Sequence, residues 1–96
     1  MKPSELLSQY KSEIIKMIQR YPVSNPRVFG SVAYGTDQEG SDLDLLVDPM
    51  NNTNLFHLGG LQDELEQLLG IPIDLVTPLD LPSSYRDDVL RAAQPL

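Results

Sequence analysis

The stretch "SDLDLLV", Ser41 to Val47, constrains this chain more than any other. Its apolar residues read as a strand, yet it carries Asp42 and Asp44 two positions apart. Side chains alternate across a strand, so both carboxylates point to one face while Leu43, Leu45 and Val47 anchor the core from the other. Like charges this close repel, and one holds its proton at neutral pH unless a cation joins them. A hard divalent ion such as Mg²⁺ removes the conflict, because it binds one or two carboxylates and leaves its other positions to water and substrate phosphates. The plainer alternative is an edge strand with both aspartates in water. A bare D-x-D does not separate the two.

Two neighbouring features bear on the choice. Gly30-Ser31 ends a short strand, Arg27 to Phe29, and opens a helical turn over Val32 to Tyr34 that Gly35 closes. Glycine lets a phosphate approach the backbone, free N–H groups at a helix start attract anions, and the serine hydroxyl adds a donor. Taken alone, Gly-Ser reads first as an ordinary tight turn. In "IPIDLVT", Asp74 faces away from Ile73 and Leu75. It is either a strand aspartate in water or, if the strands are neighbours, a third carboxylate beside the first two. Together these residues describe a metal–phosphate site suited to two-metal phosphoryl-type transfer, which needs mainly positioning and charge neutralisation.

The rest of the chain reads as alternating helix and strand. Leu6, Leu7, Tyr10, Ile14, Met17 and Ile18 recur at helical spacing, so a helix is expected from Ser4, as its cap, to Arg20. "TDQEG" is expected as a surface loop. Strands are expected at Asp42–Val47 and Ile71–Val76. Between them lies a helix over 55–69, capped by Asn54 or Thr53 and stopped by Gly70. Its Leu61, Leu65, Leu68 and Leu69 face inward. A last helix, Ser84–Ala93, carries a Ser84/Asp87 capping box. His57, the only histidine, is a surface or capping residue. The expected fold is α/β, a small mixed sheet of about three strands flanked by helices, with residues 1–96 as one domain.

Charge narrows the function classes. The net charge is −7, and the seven basic residues are scattered. With no basic stripe to neutralise a nucleic-acid backbone, direct nucleic-acid binding is not expected. An acidic surface suits metal ions or a basic protein partner, or serves solubility alone. No apolar run approaches the roughly 18 residues that span a bilayer, and the first residues are too polar for a signal peptide. There is no cysteine for a disulfide or thiolate site. A cytoplasmic protein is expected.

The string "GSVAYGTDQEGSDLDLLV" resembles the signature of the minimal nucleotidyltransferases, G-S-x-A-R-G-x(5)-S-D-x-D-L-x-V, a branch of the DNA polymerase β superfamily. Gly30, Ser31, Ala33, Gly35, Ser41, Asp42, Asp44, Leu45 and Val47 fall on the pattern without a gap. Asp74 falls where the family's third metal-binding carboxylate is expected. The resemblance implies a polymerase β-like palm core in which Asp42 and Asp44 hold two Mg²⁺ ions. Asp74 would help hold one ion and act as base toward the acceptor. Gly30 and Ser31 would grip the β- and γ-phosphates of a nucleoside triphosphate, with Ser41 and Tyr34 beside the nucleotide. Attack on the α-phosphorus would leave a nucleoside monophosphate on the acceptor and release pyrophosphate. One position departs: Tyr34 replaces the family's arginine and lacks its fixed charge and two-pronged fork. It either stacks on a base or is an ordinary surface residue.

The branch includes antitoxins of HEPN/MNT toxin–antitoxin pairs. The resemblance therefore implies a HEPN ribonuclease toxin as partner, AMP transfer from ATP to a toxin tyrosine, and a hetero-oligomer with the toxin. Larger nucleotidyltransferases add a second domain for acceptor contacts, so here another chain is expected to supply that surface. The competing expectation is a catalytically weak or inactive antitoxin that blocks its toxin by contact. Keeping three carboxylates argues against it, because crowded carboxylates without a metal are a liability.

Overall fold

A computed structural model describes all 96 residues. The elements run α1 (Pro3–Gln9), α2 (Lys11–Gln19), β1 (Val23–Phe29), α3 (Gly30–Tyr34), β2 (Leu43–Pro49), α4 (Leu55–Leu69), β3 (Ile73–Val76), a 3-10 turn (Pro78–Asp80), α5 (Arg86–Ala92) and β4 (Gln94–Pro95). The sheet order is β3-β2-β1-β4, with β2 parallel to β3 and antiparallel to β1, and β1 antiparallel to β4. The expected mixed sheet is present, with a fourth strand added. Two residues, one of them proline, carry no alternation by which β4 could be read in advance.

The core lies on one face of the sheet. Leu43, Leu45 and Val47 of β2 are fully buried there, as expected, in one cluster with Ile14 and Ile18 of α2 and Leu61, Leu65 and Leu69 of α4. Each such side chain contributes about 1.5–3 kcal/mol relative to exposure. Leu68 is only half-buried, at the edge of that cluster. Leu46 faces the other way, with Asp44, and is also fully buried. The 3-10 turn packs against β2, and Leu81 just after it is buried. The two ends of that second face stay half-open, at Asp44 and at Asp48.

Several boundaries differ from expectation. The N-terminal helix is two helices, separated at Tyr10 (φ −107°, ψ 18°), with Ile14 N–H still donating to Tyr10 O at 2.9 Å. Ser4 is not the cap: it lies within α1, and its N–H donates to Asp37 Oδ2 at 2.8 Å. Asp37, in the loop expected at the surface, is therefore buried. Strand β1 extends back to Val23 through a register shift between Ser24 and Arg27, with Asn25 at φ 53°, an irregularity of the kind in which a proline such as Pro26 is tolerated. The last helix begins at Arg86 rather than Ser84, and the Ser84/Asp87 box does not form. Arg86 fixes that start by donating Nε to Pro78 O (2.8 Å) and Nη2 to Leu81 O (2.7 Å).

The β2–β3 connection matches its sequence closely. Asn54 caps α4 by accepting His57 N–H at 3.0 Å, and His57 Nδ1 accepts Asn54 N–H at 3.2 Å, so the lone histidine is a capping residue. Gly70 closes the helix at φ 70°, in the left-handed region. From α4, Glu66 Oε2 accepts Ile73 N–H (3.0 Å) and Gln62 Oε1 accepts Leu75 N–H (3.3 Å), which satisfies the outer edge of β3.

Candidate active site

Strand directions bring the candidate residues to one end of the sheet. Strands β2 and β3 run parallel, so Asp44 and Asp74, each second in its strand, are register partners. Strand β1 runs the other way and ends at Phe29, the register partner of Asp44 on its other side. The chain turns there into Gly30. Asp42 lies one residue before β2, exposed, rather than within the strand as expected. Its neighbour Leu43 enters the ladder by donating its N–H to Pro72 O at 3.1 Å.

Gly30 is pressed against Asp44. A Cβ at residue 30 would stand 2.1 Å from Asp44 Oδ2, and the residue has φ +68°. Only glycine meets both conditions without displacing the carboxylate. The sequence singled out this glycine for phosphate approach, and the structure adds a steric reason for it. Helix α3 starts here, and Gly35 ends it at φ 72°.

Asp44 is half-buried and accepts no hydrogen bond or ion pair from the chain; neither does Asp42 or Asp74. Burial, then the charge of Asp74, then that of Asp42 push the Asp44 carboxyl up to about 6 from 3.8. The three carboxylates thus share one electrostatic site. They do not gather tightly enough to cage an ion by themselves. Mg²⁺ does not require a cage, since it takes few carboxylates and keeps water and phosphate ligands. Hard oxygen donors, an unneutralised half-buried carboxylate and a glycine turn beside it fit that ion.

The remaining candidates lie on α3 and on the loop that follows it. Ser31 is half-buried in α3 next to Gly30. Ser41 Oγ accepts Gln38 N–H (3.0 Å), and Ser41 N–H donates to Gln38 O (3.0 Å), so this serine closes the loop that delivers Asp42. Tyr34, at the end of α3, is 66% exposed. Asp37 is the positioning residue that sequence reasoning missed. It ties the loop between α3 and β2 to the start of α1, and the Ser4 N–H holds its carboxyl below the usual range. A polar surface pattern around it, "TDQEG", conceals that role.

Comparison with known proteins fits this geometry. The nucleotidyltransferase domain family matches residues 11–96. The protein adenylyltransferase MntA of Thermococcus cleftensis is 37% identical over 86 residues, covering 90% of this chain and 84% of that protein. A solved structure of a candidate minimal nucleotidyltransferase superposes with a TM-score of 0.85 at 39% identity, covering 97% of this chain and 95% of the other. A tri-AMPylated HEPN toxin of Shewanella oneidensis in complex with an MNT antitoxin gives a TM-score of 0.68 at 18% identity, over 92% of this chain and 69% of the matched chain. That last likeness is one of fold alone. With sequence and fold agreeing over most of its length, the chain belongs to the nucleotidyltransferase domain family, among its minimal members.

Proposed function

We propose that this chain is a Mg²⁺-dependent protein adenylyltransferase that neutralises a HEPN-type toxin by transferring AMP from ATP to one of its tyrosines. The observation that carries this reading is Asp44: half-buried, without a donor or cation of its own, and crowded by Asp74 and Asp42. A fold does not leave a carboxylate so placed without cost, and a bound cation with a triphosphate removes that cost. The tri-AMPylated toxin bound to an MNT antitoxin supports the same acceptor class.

In this reading Asp42, Asp44 and Asp74 hold two Mg²⁺ ions, which supply charge neutralisation on the triphosphate. Asp74 receives the proton of the acceptor hydroxyl. The turn at Gly30 and Ser31 holds the β- and γ-phosphates, and Ser41 and Tyr34 border the nucleotide. The acceptor oxygen bonds to the α-phosphorus, the bond to the β-phosphate oxygen breaks, and pyrophosphate leaves.

The test is the intact mass of a co-expressed toxin partner, made with the native chain and with Asp42→Asn. One or more added AMP units with the native chain alone is the expected result. A second reading, a contact antitoxin without transfer, draws on exposed Tyr34 in place of the family's arginine. It predicts an unmodified toxin that both forms still bind and inhibit.

A further inference from the structure

At the end of β2 opposite Asp44 the chain changes character. From Pro49 to Gln62 there is no Asp, Glu, Lys or Arg, the longest uncharged stretch in a chain of net charge −7. This segment forms the β2–α4 connection and the first half of α4. Three of its apolar side chains project into solvent: Phe56 is 90% exposed, Leu55 83% and Met50 48%. The Asn54–His57 capping box fixes the helix start beneath Leu55 and Phe56, so the patch is held in place before any partner arrives.

We propose that this tip is where two copies of the chain meet about a two-fold axis. In such a contact, residues near the axis face their own images. On an acidic chain most surfaces would set carboxylate against carboxylate. The tip sets phenylalanine and leucine against themselves, with an asparagine rim from Asn51, Asn52 and Asn54. A basic partner would gain no charge attraction there. An acceptor docked there would also stand about 17 Å from Asp44, the rise of the strand between them. Two copies joined at the tips keep both carboxylate sites open, facing away from each other.

The three side chains offer roughly 400 Å² of apolar surface per copy, about half of one partner's share in a standard interface. The dimer is therefore weak and concentration-dependent.

The test is sedimentation velocity on the intact chain from about 10 µM to about 1 mM, concentrations at which a weak self-association is populated. The native mass is expected to climb from 10.7 kDa toward twice that value. Phe56→Asp is expected to stay at one chain's mass throughout, with an unchanged circular dichroism spectrum, since its side chain is nearly free of contacts. Phe56→Lys alone is expected to do the same, and an equimolar mixture of the two variants to restore the doubled mass. A native chain that stays single throughout overturns the proposal, as does Phe56→Asp pairing like the native chain. A native chain that is single by itself while Phe56→Asp fails to bind the toxin assigns the tip to that other protein, and likewise overturns it.

Discussion

Asp44 and Asp48 stand four residues apart on the same face of β2, and the fold treats them oppositely. Asp48 has its own cation: Arg27 of β1 donates Nη2 to its Oδ1 at 2.9 Å, and Asn25 Nδ2 donates to its Oδ2 at 3.0 Å. Asp44 has no cation or donor, only the repulsion of Asp74 and Asp42, and a glycine where any side chain would push it aside. Asp48 makes its interactions within the chain. Asp44 is held ready for something from outside it. Sharing a strand face does not give two carboxylates one task; the groups across the sheet distinguish them.

The largest effect expected from breaking this contrast is on Asp44→Asn. AMP transfer should fall at least about 10³-fold, as for loss of a principal charge-stabilising group. In metal-free buffer the same variant should melt higher than the native chain, because it removes a repelled carboxylate. Lost transfer combined with a lowered melting temperature would place Asp44 in the same structural class as Asp48. Gly30→Ala should follow, with transfer down roughly 10²-fold, because its Cβ overlaps Asp44 Oδ2 and displaces the carboxylate from its place.

Arg27→Met tests the other member of the comparison. It strands Asp48, and denaturant unfolding should show a loss of about 1–3 kcal/mol, less than for a wholly buried pair because Asp48 is partly in water. Transfer per folded molecule should not change. The smallest effect is on pH dependence. The folded chain holds the Asp44 proton up to about 6, whereas the unfolded chain releases it near 3.8. The folded state thus binds more protons across that window, and stability from this group falls as pH rises from about 4 to about 6. Allowing for solvent screening, the change is about 1 kcal/mol, read as a falling melting temperature in chelator. Asp44→Asn should flatten that slope, and Mg²⁺ affinity should rise with pH through the same range as proton competition ends.

Much of this site is legible in the sequence. Asp44 and Asp74 stand out because alternation puts a charge where a strand would otherwise be apolar, and the Gly-Ser turn precedes them at the family's spacing. What the sequence hides is contact between distant segments. Nothing local marks Asp37 as buried, because its partner is the backbone of Ser4, a residue with an unremarkable N–H. The register that places Asp74 beside Asp44, and the two-residue β4, are settled by packing rather than propensity. Alternation alone extends the strand to Asp42. The ladder instead begins at Leu43, which leaves Asp42 on the loop side of the site. The break at Tyr10 lies within an unbroken helical pattern, so periodicity carried the expected helix straight through it.

The α4 side chains that close the outer edge of β3 have a consequence for the site itself. Glu66 takes Ile73 N–H and Gln62 takes Leu75 N–H, the residues on either side of Asp74. A slip of β3 by one residue would send Asp74 into the core and put Ile73 or Leu75 beside Asp44. Helix α4 therefore works as a ruler, with two notches set one residue before and one after the carboxylate whose position they gauge.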